Sequence, residues 1–429
     1  MTGEAPTAGQ RRAPRVQAEH LESLVTVLSA VRSGQARTRP QVAHSSGLGR
    51  NVVAQRVLQL VELGLLEQGS KAPSTGGRSA RELRFKADAG HVLVADLGAT
   101  SIGVGLADLA GRVLLQDRQD AAINDGPEEI LRRVDQLFRE LLVKHGGQTD
   151  LWGVGVGLPG PVEFRTGRPV APPIMPGWDG FDVRGYFEHR FNVPAWVDND
   201  VNLMALGELR GGMARSEGDL VYVKVGTGIG AGLVSGGRLH RGAEGCAGDI
   251  GHMAVVQDTL EVCRCGRVGC LEALAGGAAL ARDGAAAAAS GRSPFLRQLA
   301  QEGHEISSAD VARAAQHGDP VAVDLMSRSA TLVGEALASI VNFFNPAVVL
   351  LGGAVVRSGD SYLATVRQVV FKRSLPLSTR SLRLTLSPLG EQAGLKGAAF
   401  LVVDELLERE QLESWIALGS PAAAYGRTG

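Results

Sequence analysis

The stretch Val92-Leu-Val-Ala-Asp96-Leu-Gly98-Ala-Thr100-Ser-Ile102-Gly-Val-Gly-Leu-Ala107 decides the fold. Val92–Leu97 and Ile102–Ala107 read as apolar strands joined by a glycine-containing turn. The pattern returns at Val225-Gly226-Thr227-Gly228-Ile229-Gly230. In both turns glycine lets the backbone approach a ligand closely, and the turn N–H groups can face an anion. Neither turn opens a helix, and neither carries Gly-Lys-Ser/Thr, which argues against a dinucleotide-binding fold and against a P-loop. Two strand–turn–strand clamps in different halves predict instead a cleft with a nucleotide bridging two lobes. Asp96 is placed to hold Mg2+, directly or through water, because hard cations take oxygen ligands. The bland alternative is a pair of tight hairpins and no ligand.

The chain outward from these turns fits an α/β body. Asp125–His145 has the spacing of an amphipathic helix, with Ile130, Val134, Leu137, Phe138 and Leu141 on one face. Val154–Leu158 is a further buried strand. Strand–helix alternation of this kind gives an α/β architecture. The apolar run Ala336–Val356 is broken by Asn342, Asn345 and Pro346, so it predicts helix, turn and strand, not a membrane span. Residues 276–305 are rich in alanine and glycine and predict helix and loop. The end, residues 411–429, thins into small residues and is expected to be loose. Residues 1–18 are polar, lack the apolar core of a signal peptide and are expected to be disordered. Together with free cysteines suited to a reducing compartment, this places the protein in the cytoplasm.

Charge is divided unevenly. The 429 residues carry a net charge of −1, yet residues 1–90 hold 13 Lys+Arg against 7 Asp+Glu. In that basic part, residues 19–88 predict three helices and a small hairpin. The helices run His20–Val31, Pro40–Ser45 (capped by Thr38) and Arg50–Leu63; the strands are Leu65–Glu67 and Glu82–Phe85, flanking a loop at Gly69–Arg78. This is the winged helix-turn-helix pattern, and a basic domain of that kind points to nucleic acid. Arg50, Asn51, Gln55 and Arg56 are expected on one exposed side of the third helix, facing the major groove. Lys71, Arg78 and Arg81, in or beside the wing, would contact phosphate or the minor groove. Arginines that are merely solvated are the alternative.

Two polar clusters carry chemistry. Val197-Asp198-Asn199-Asp200-Val201-Asn202 sets acids and amides side by side after an apolar stretch. Such groups are costly to bury unpaired, and a strand end opening on a cleft would use them. Asp200 would take a proton from a substrate hydroxyl attacking a γ-phosphate, unless the run is only a solvated turn. Further on, His252 precedes Cys263, Cys265 and Cys270. Three thiolates and an imidazole are the donor set of a closed tetrahedral zinc site; chance clustering and redox chemistry are the alternatives. Asp249 and Glu272 flank the loop, and planar polar groups of this kind suit polyhydroxylated ligands. Cys246 lies outside the set and is read as a small buried residue.

With those motifs in hand, the chain from His20 to about Glu410 resembles the ROK family of repressors, open reading frames and kinases, in its repressor-type arrangement. The carrying residues are Asp96-x-Gly98-x-Thr100, Gly157-Leu-Pro159-Gly160, Pro176-Gly177-Trp178, Asp198–Asn202, Gly226–Gly230, Gly248-Asp249-Ile250-Gly251-His252, the cysteine loop and Leu351-Gly352-Gly353, in that order. The resemblance implies an actin-like, hexokinase-type body of two α/β lobes over 90–410, preceded by the winged helix. It implies zinc on His252, Cys263, Cys265 and Cys270, and a sugar on Asn199, Asp200, Asp249, His252 and Glu272. It implies nucleotide contacts at Asp96, Gly98, Thr100, Gly226, Thr227, Gly228, Gly230, Gly352 and Gly353, with ATP and Mg2+ as possible cofactors, and Asp200 as catalytic base in kinase members. One departure is Asp249, where kinase members carry glutamate; the shorter reach would cost on the order of 1–3 kcal/mol in a hydrogen bond.

The expectation is therefore a sugar-responsive DNA-binding regulator, a homo-oligomer reading a double-stranded DNA operator and answering to a small sugar effector. A glucokinase-like ATP-dependent sugar kinase is the alternative, since the phosphate-clamp and base residues are retained. A DNA-reading domain needs a use, whereas a sugar site can serve sensing alone.

Overall fold

The computed structural model describes residues 13–71, 81–147, 149–214 and 217–425. It opens with α1 (Ala13–Arg32), α2 (Arg39–Ser46) and α3 (Arg50–Glu62), then the antiparallel pair β1 (Leu66–Lys71) and β2 (Arg81–Phe85). Leu24, Val27 and Leu28 of α1 are buried against Val42 of α2 and Val53, Val57 and Leu60 of α3. The Thr38 hydroxyl accepts the Gln41 N–H and starts α2. Gly64, at φ 71°, takes the left-handed conformation that turns the chain out of α3. Two boundaries differ from expectation. Residues 13–18, expected as tail, are the first turns of α1. Gly69 to Lys71 continue β1 instead of forming loop, because the hairpin pairing runs on to Lys71 opposite Arg81. Residues 1–12 of the expected tail and 72–80 of the expected wing loop lie outside the described residues.

The body is built twice on one plan. In the first lobe, β3 (His91–Leu97), β4 (Ser101–Asp108) and β5 (Val113–Asp120) run antiparallel. α4 (Pro127–Lys144) then crosses over to β6 (Leu151–Leu158). After the short pair β7 (Val162–Glu163) and β8 (Arg168–Pro169) and helix α5 (Val183–Phe191), β9 (Ala195–Asn199) completes a sheet of order β5-β4-β3-β6-β9. Helix α6 (Asp200–Gly211) follows directly. The second lobe repeats the plan with β10 (Leu220–Val225), β11 (Ile229–Ser235) and β12 (Arg238–His240) antiparallel. Helices α7 (Leu271–Ala275), α8 (Gly277–Ala289), α9 (Pro294–Gln301), α10 (Ser308–Gln316) and α11 (Pro320–Phe344) lead to β13 (Val348–Gly352). α12 (Asp360–Arg373) and α13 (Pro376–Thr379) precede β14 (Arg383–Leu386), giving the order β12-β11-β10-β13-β14. In each sheet the first strand is antiparallel to its hairpin partner and parallel to the strand that returns after helix. Ligand crevices open at such strand ends. Asn345, in the left-handed conformation, ends α11 before β13, so the apolar run forms helix, turn and strand. No helix among the described residues is long and apolar enough to cross a membrane.

Helix α14 (Gln392–Leu407) crosses α6 at close range between the lobes. A methyl group at Gly397 would overlap the Leu203 carbonyl oxygen, and one at Gly207 would overlap that of Ala393. Those glycines therefore set the helix–helix distance. Residues 411–425, expected to be loose, are ordered in helices, and residues 426–429 lie outside the described residues. α15 (Arg409–Trp415) and α16 (Pro421–Tyr425) pack back on the body, with Leu412 and Trp415 buried. Two apolar residues on one helical face outweigh the small, polar composition around them. Asp404 of α14 joins the domains: it pairs with Arg210 of α6 at 3.1 Å and with Arg32 of α1 at 2.7 Å.

Candidate functional site

A cleft of about 620 Å³ separates the lobes, and both glycine turns line it. The β3–β4 turn presents Gly98 and Thr100; the β10–β11 turn presents Gly226, Thr227 and Gly228, with Gly230 following on β11 and Gly353 after β13. Gly352 ends β13 itself, paired with Lys224 of β10. The turn after β9 delivers the acids. Asn199 caps α6, its Oδ1 accepting the N–H groups of Val201 and Asn202, while its Nδ2 donates to the Gly160 carbonyl at 3.0 Å. Asp200 is buried, its Oδ1 accepting the Val201 N–H at 2.9 Å. The Asp198 carboxylate is held by Arg241 at 2.8 Å and Asn202 at 2.9 Å, which fixes the strand end beneath both.

Glu272 enters from the second lobe on α7, where its Oε2 accepts the Ile229 N–H at 3.0 Å. A side chain at Gly228 would collide with that carboxylate, so the glycine admits it to the turn. His252 joins cleft and cysteine loop. Its Nδ1 lies 3.5 Å from Cys263 Sγ, and its Nε2 points to Asp249 Oδ1, 4.0 Å away. The donor atoms of His252, Cys263, Cys265 and Cys270 all lie within 4.8 Å of one another, a set that could hold a metal ion. Cys263 and Cys270 are buried; Cys246, expected to be buried, is exposed on the cleft wall. Asn199, Asp200, Asp249, His252 and Glu272 thus meet in one cleft from separate parts of the chain.

Lys224 was not singled out in the sequence. It projects from β10 and its Nζ donates to Asp200 Oδ2 at 2.5 Å. The available signal was a lone charge in the otherwise apolar strand Leu220-Val-Tyr-Val-Lys-Val225. Asp96 sits beside this pair, with its Oδ1 buried and without a hydrogen-bond partner among the described residues. Desolvation pushes its carboxyl up to about 6, against the pull of Lys224. A raised acid pKa costs stability as pH climbs from its ordinary value near 3.8 to the folded value and beyond. Asp96→Asn should therefore stabilise the fold at pH 8 by on the order of 2–3 kcal/mol, and by little at pH 4. Thermal melts of both proteins at the two pH values check this; an equal shift at both would contradict it.

In the N-terminal domain Arg50, Asn51 and Gln55 are exposed along α3, and Arg81 is exposed at the start of β2. Arg56 departs from the expected face. Its Nε donates to the Ser23 hydroxyl of α1 at 2.7 Å and the side chain is half-buried, because position 56 adjoins the buried Val57 and Leu60 stripe. Arg78 lies outside the described residues, and Lys71 is described only as backbone in β1.

The ROK family model matches residues 92–405. A xylose repressor of Caldicellulosiruptor bescii is 30% identical over 395 residues, covering 89% of this chain and 95% of the relative. A glucokinase of Halalkalibacterium halodurans is 31% identical over 310 residues, covering 72% of this chain and 93% of the relative. Among solved structures, a ROK family transcriptional regulator, a homolog of the E. coli MLC protein, superposes with a TM-score of 0.79 at 25% identity, over 94% of this chain and 100% of that one. A ROK family glucokinase from Streptomyces griseus in complex with glucose and AMPPNP gives 0.63 at 30% identity, over 73% and 99%. The regulators match nearly the whole chain, whereas the kinases leave about a quarter of it unmatched.

Proposed function

The chain belongs to the ROK family, and from that premise we propose that it is a sugar-responsive DNA-binding repressor. One observation carries the reading: a winged-helix domain with Arg50, Asn51 and Gln55 free on its third helix is joined to a cleft where five polar side chains converge. Relatives named as xylose repressors match across both parts. Arginine suits guanine edges, and asparagine or glutamine suits adenine. A homodimer would present two such helices to a palindromic operator. In the cleft, Asn199 Nδ2, Asp200, Asp249, His252 and Glu272 supply donors and acceptors for sugar hydroxyls. Sugar acts on DNA binding only by favouring one domain arrangement over another.

Zinc suits the donor set. A tetrahedron with Zn–S bonds of about 2.3 Å has S···S edges of about 3.8 Å, and with a Zn–N bond of about 2.0 Å its N···S edges are about 3.5 Å. Cys265 and Cys270 Sγ stand 3.7 Å apart, and Cys263 Sγ stands 3.5 Å from His252 Nδ1. When bound, the ion would lock the loop; His252 would keep Nε2 for Asp249 and the cleft.

The test is fluorescence anisotropy on double-stranded DNA from upstream of the protein's own coding sequence, titrated with D-xylose and D-glucose. Binding should weaken steeply with salt. Arg50→Ala should cost about 1–3 kcal/mol in operator affinity. One of the sugars should shift the operator Kd at least fivefold, a coupling at the low end of about 1–3 kcal/mol, and Glu272→Gln should remove that shift. Salt-insensitive binding, or none, would refute the reading. Phosphoryl transfer from ATP to the sugar is a second reading, favoured by the presence of Asp200 and both glycine turns in the cleft. A coupled assay over a sugar panel, with Asp200→Asn as control, decides it.

A further inference from the structure

The Lys224 ammonium lies among the groups that nucleotide chemistry would need. It donates to Asp200 Oδ2 at 2.5 Å. Its Cε lies 3.5 Å from the position a methyl group would take on Gly226, so the ammonium end of the side chain also abuts the second glycine turn. Asp96 and Asp200 are close neighbours: Asp96 Oδ1 and the Asp200 Cα lie 3.6 and 3.4 Å from the point where Gly157 lacks its Cβ. Two carboxylates and one ammonium therefore share the floor of the cleft beside the turn.

A magnesium site needs oxygen donors in near-octahedral array and keeps several waters. Of the acids that would supply such donors here, Asp200 already holds a cation, the Lys224 ammonium, on its Oδ2, and Asp96, whose Oδ1 has no hydrogen-bond partner among the described residues, lies beside that pair. A divalent ion brought to Asp96 would be repelled by that cation, in a cleft wall where charges are weakly screened. Both carboxylate oxygens of Asp200 are also already engaged. Its Oδ1 takes the Val201 N–H and its Oδ2 takes the ammonium, which leaves fewer oxygen lone pairs free for a metal ion. The residues present do not fit magnesium.

We propose that Lys224 is a specificity-determining residue that replaces a divalent ion in the cleft, so that the site accepts an uncharged sugar on its own and not a sugar together with a magnesium nucleotide. This rests on the reading of the cleft as a sugar site. It turns the retained glycine turns and Asp200 into a binding surface, and it assigns the divergence from kinase chemistry to one side chain of β10. Three arginines also line the cleft: Arg118 and Arg357 share the single carboxylate of Glu391, and Arg313 pairs with Asp310.

The experiment is calorimetry on the full chain with AMP-PNP, with and without Mg2+, for the wild type and for Lys224→Met, which keeps the apolar stem. Lys224→Gln serves if the methionine variant does not fold, as judged by its thermal melt. Wild type should show no gain in AMP-PNP affinity on adding magnesium. The variant should gain at least tenfold in magnesium-dependent affinity. Magnesium-enhanced AMP-PNP binding by the wild type would overturn the proposal, and so would a folded variant with no gain. Neither readout uses DNA or sugar. A protein that ignores sugars in the operator assay yet shows the variant's gain would sink the repressor reading and leave the Lys224 assignment standing; the reverse pattern would do the opposite.

Discussion

Serine in place of Cys270 should strip zinc from the purified protein and weaken sugar binding at least tenfold. Cys270 is buried and stands at the N-terminus of α7, two residues before Glu272. Its sulfur also faces the His252 carbonyl oxygen at 3.7 Å, so one residue ties loop, histidine and glutamate together. The loop has little apolar packing, with Leu260 and Val262 exposed, and is held by isolated bridges between Ala254 and Cys270 and between Val262 and Val268, a few backbone hydrogen bonds and the Glu261–Arg282 ion pair. Structural zinc sites of this type contribute on the order of 10 kcal/mol of binding free energy, which becomes folding free energy for the segment they close. With the knot open, Glu272 and His252 lose their fixed positions, and each polar contact to a sugar hydroxyl loses about 0.5–1.5 kcal/mol. Metal analysis of the purified variant and calorimetry with the effector sugar check both halves. Unchanged zinc content or unchanged affinity would refute the assignment.

Trp415→Ala should cost about 3–5 kcal/mol of stability, the range for removing a large aromatic from a packed site. The Trp415 indole is 1% exposed, packs on Trp152 with ring centroids 5.2 Å apart, and donates its Nε1 hydrogen to the Leu406 carbonyl at 2.9 Å. Truncation would leave a cavity and strand that carbonyl. Since α15 also touches α1, the variant should melt with its N-terminal domain less firmly held. A urea midpoint within error of the wild type would show that the chain end contributes nothing to the body.

The two lobes were legible because each hairpin declares itself locally: apolar residues flank a glycine turn, and strand period and turn chemistry agree. The cysteine loop was legible for a similar reason, since Cys263, Cys265 and Cys270 are neighbours in sequence before they are neighbours in space. That Asp249 and Glu272 flank one loop was legible in the residues, but their meeting with Asn199 followed only from the resemblance, because it depends on how β9, the 250s loop and α7 pack. Three features stayed hidden. Lys224 finds Asp200 at the start of α6, and no local pattern reports a partner 24 residues away on another element. Arg56 was assigned to the DNA face by residue type, yet its helical phase puts it beside the buried stripe, where Ser23 takes its hydrogen bond. The terminal helices were masked by composition: alanine, glycine and serine around Leu412 and Trp415 suggest disorder, but two anchors are enough to dock a short helix once a surface exists to receive it.

Helix α6 has its two ends in different neighbourhoods. Its first residues cap the strand that holds Asn199 and Asp200 toward the cleft, and its last turn carries Arg210, about 15 Å away at 1.5 Å per residue. There Arg210 and Arg32 draw on the single carboxylate of Asp404. Midway along, α14 lies against it at Gly207 and Gly397, where neither side has room for a side chain. A tilt of its cleft end would carry to the far end, where a shared anion cannot follow both guanidiniums if they part, so a lever resting on a glycine contact would reach the first helix of the chain.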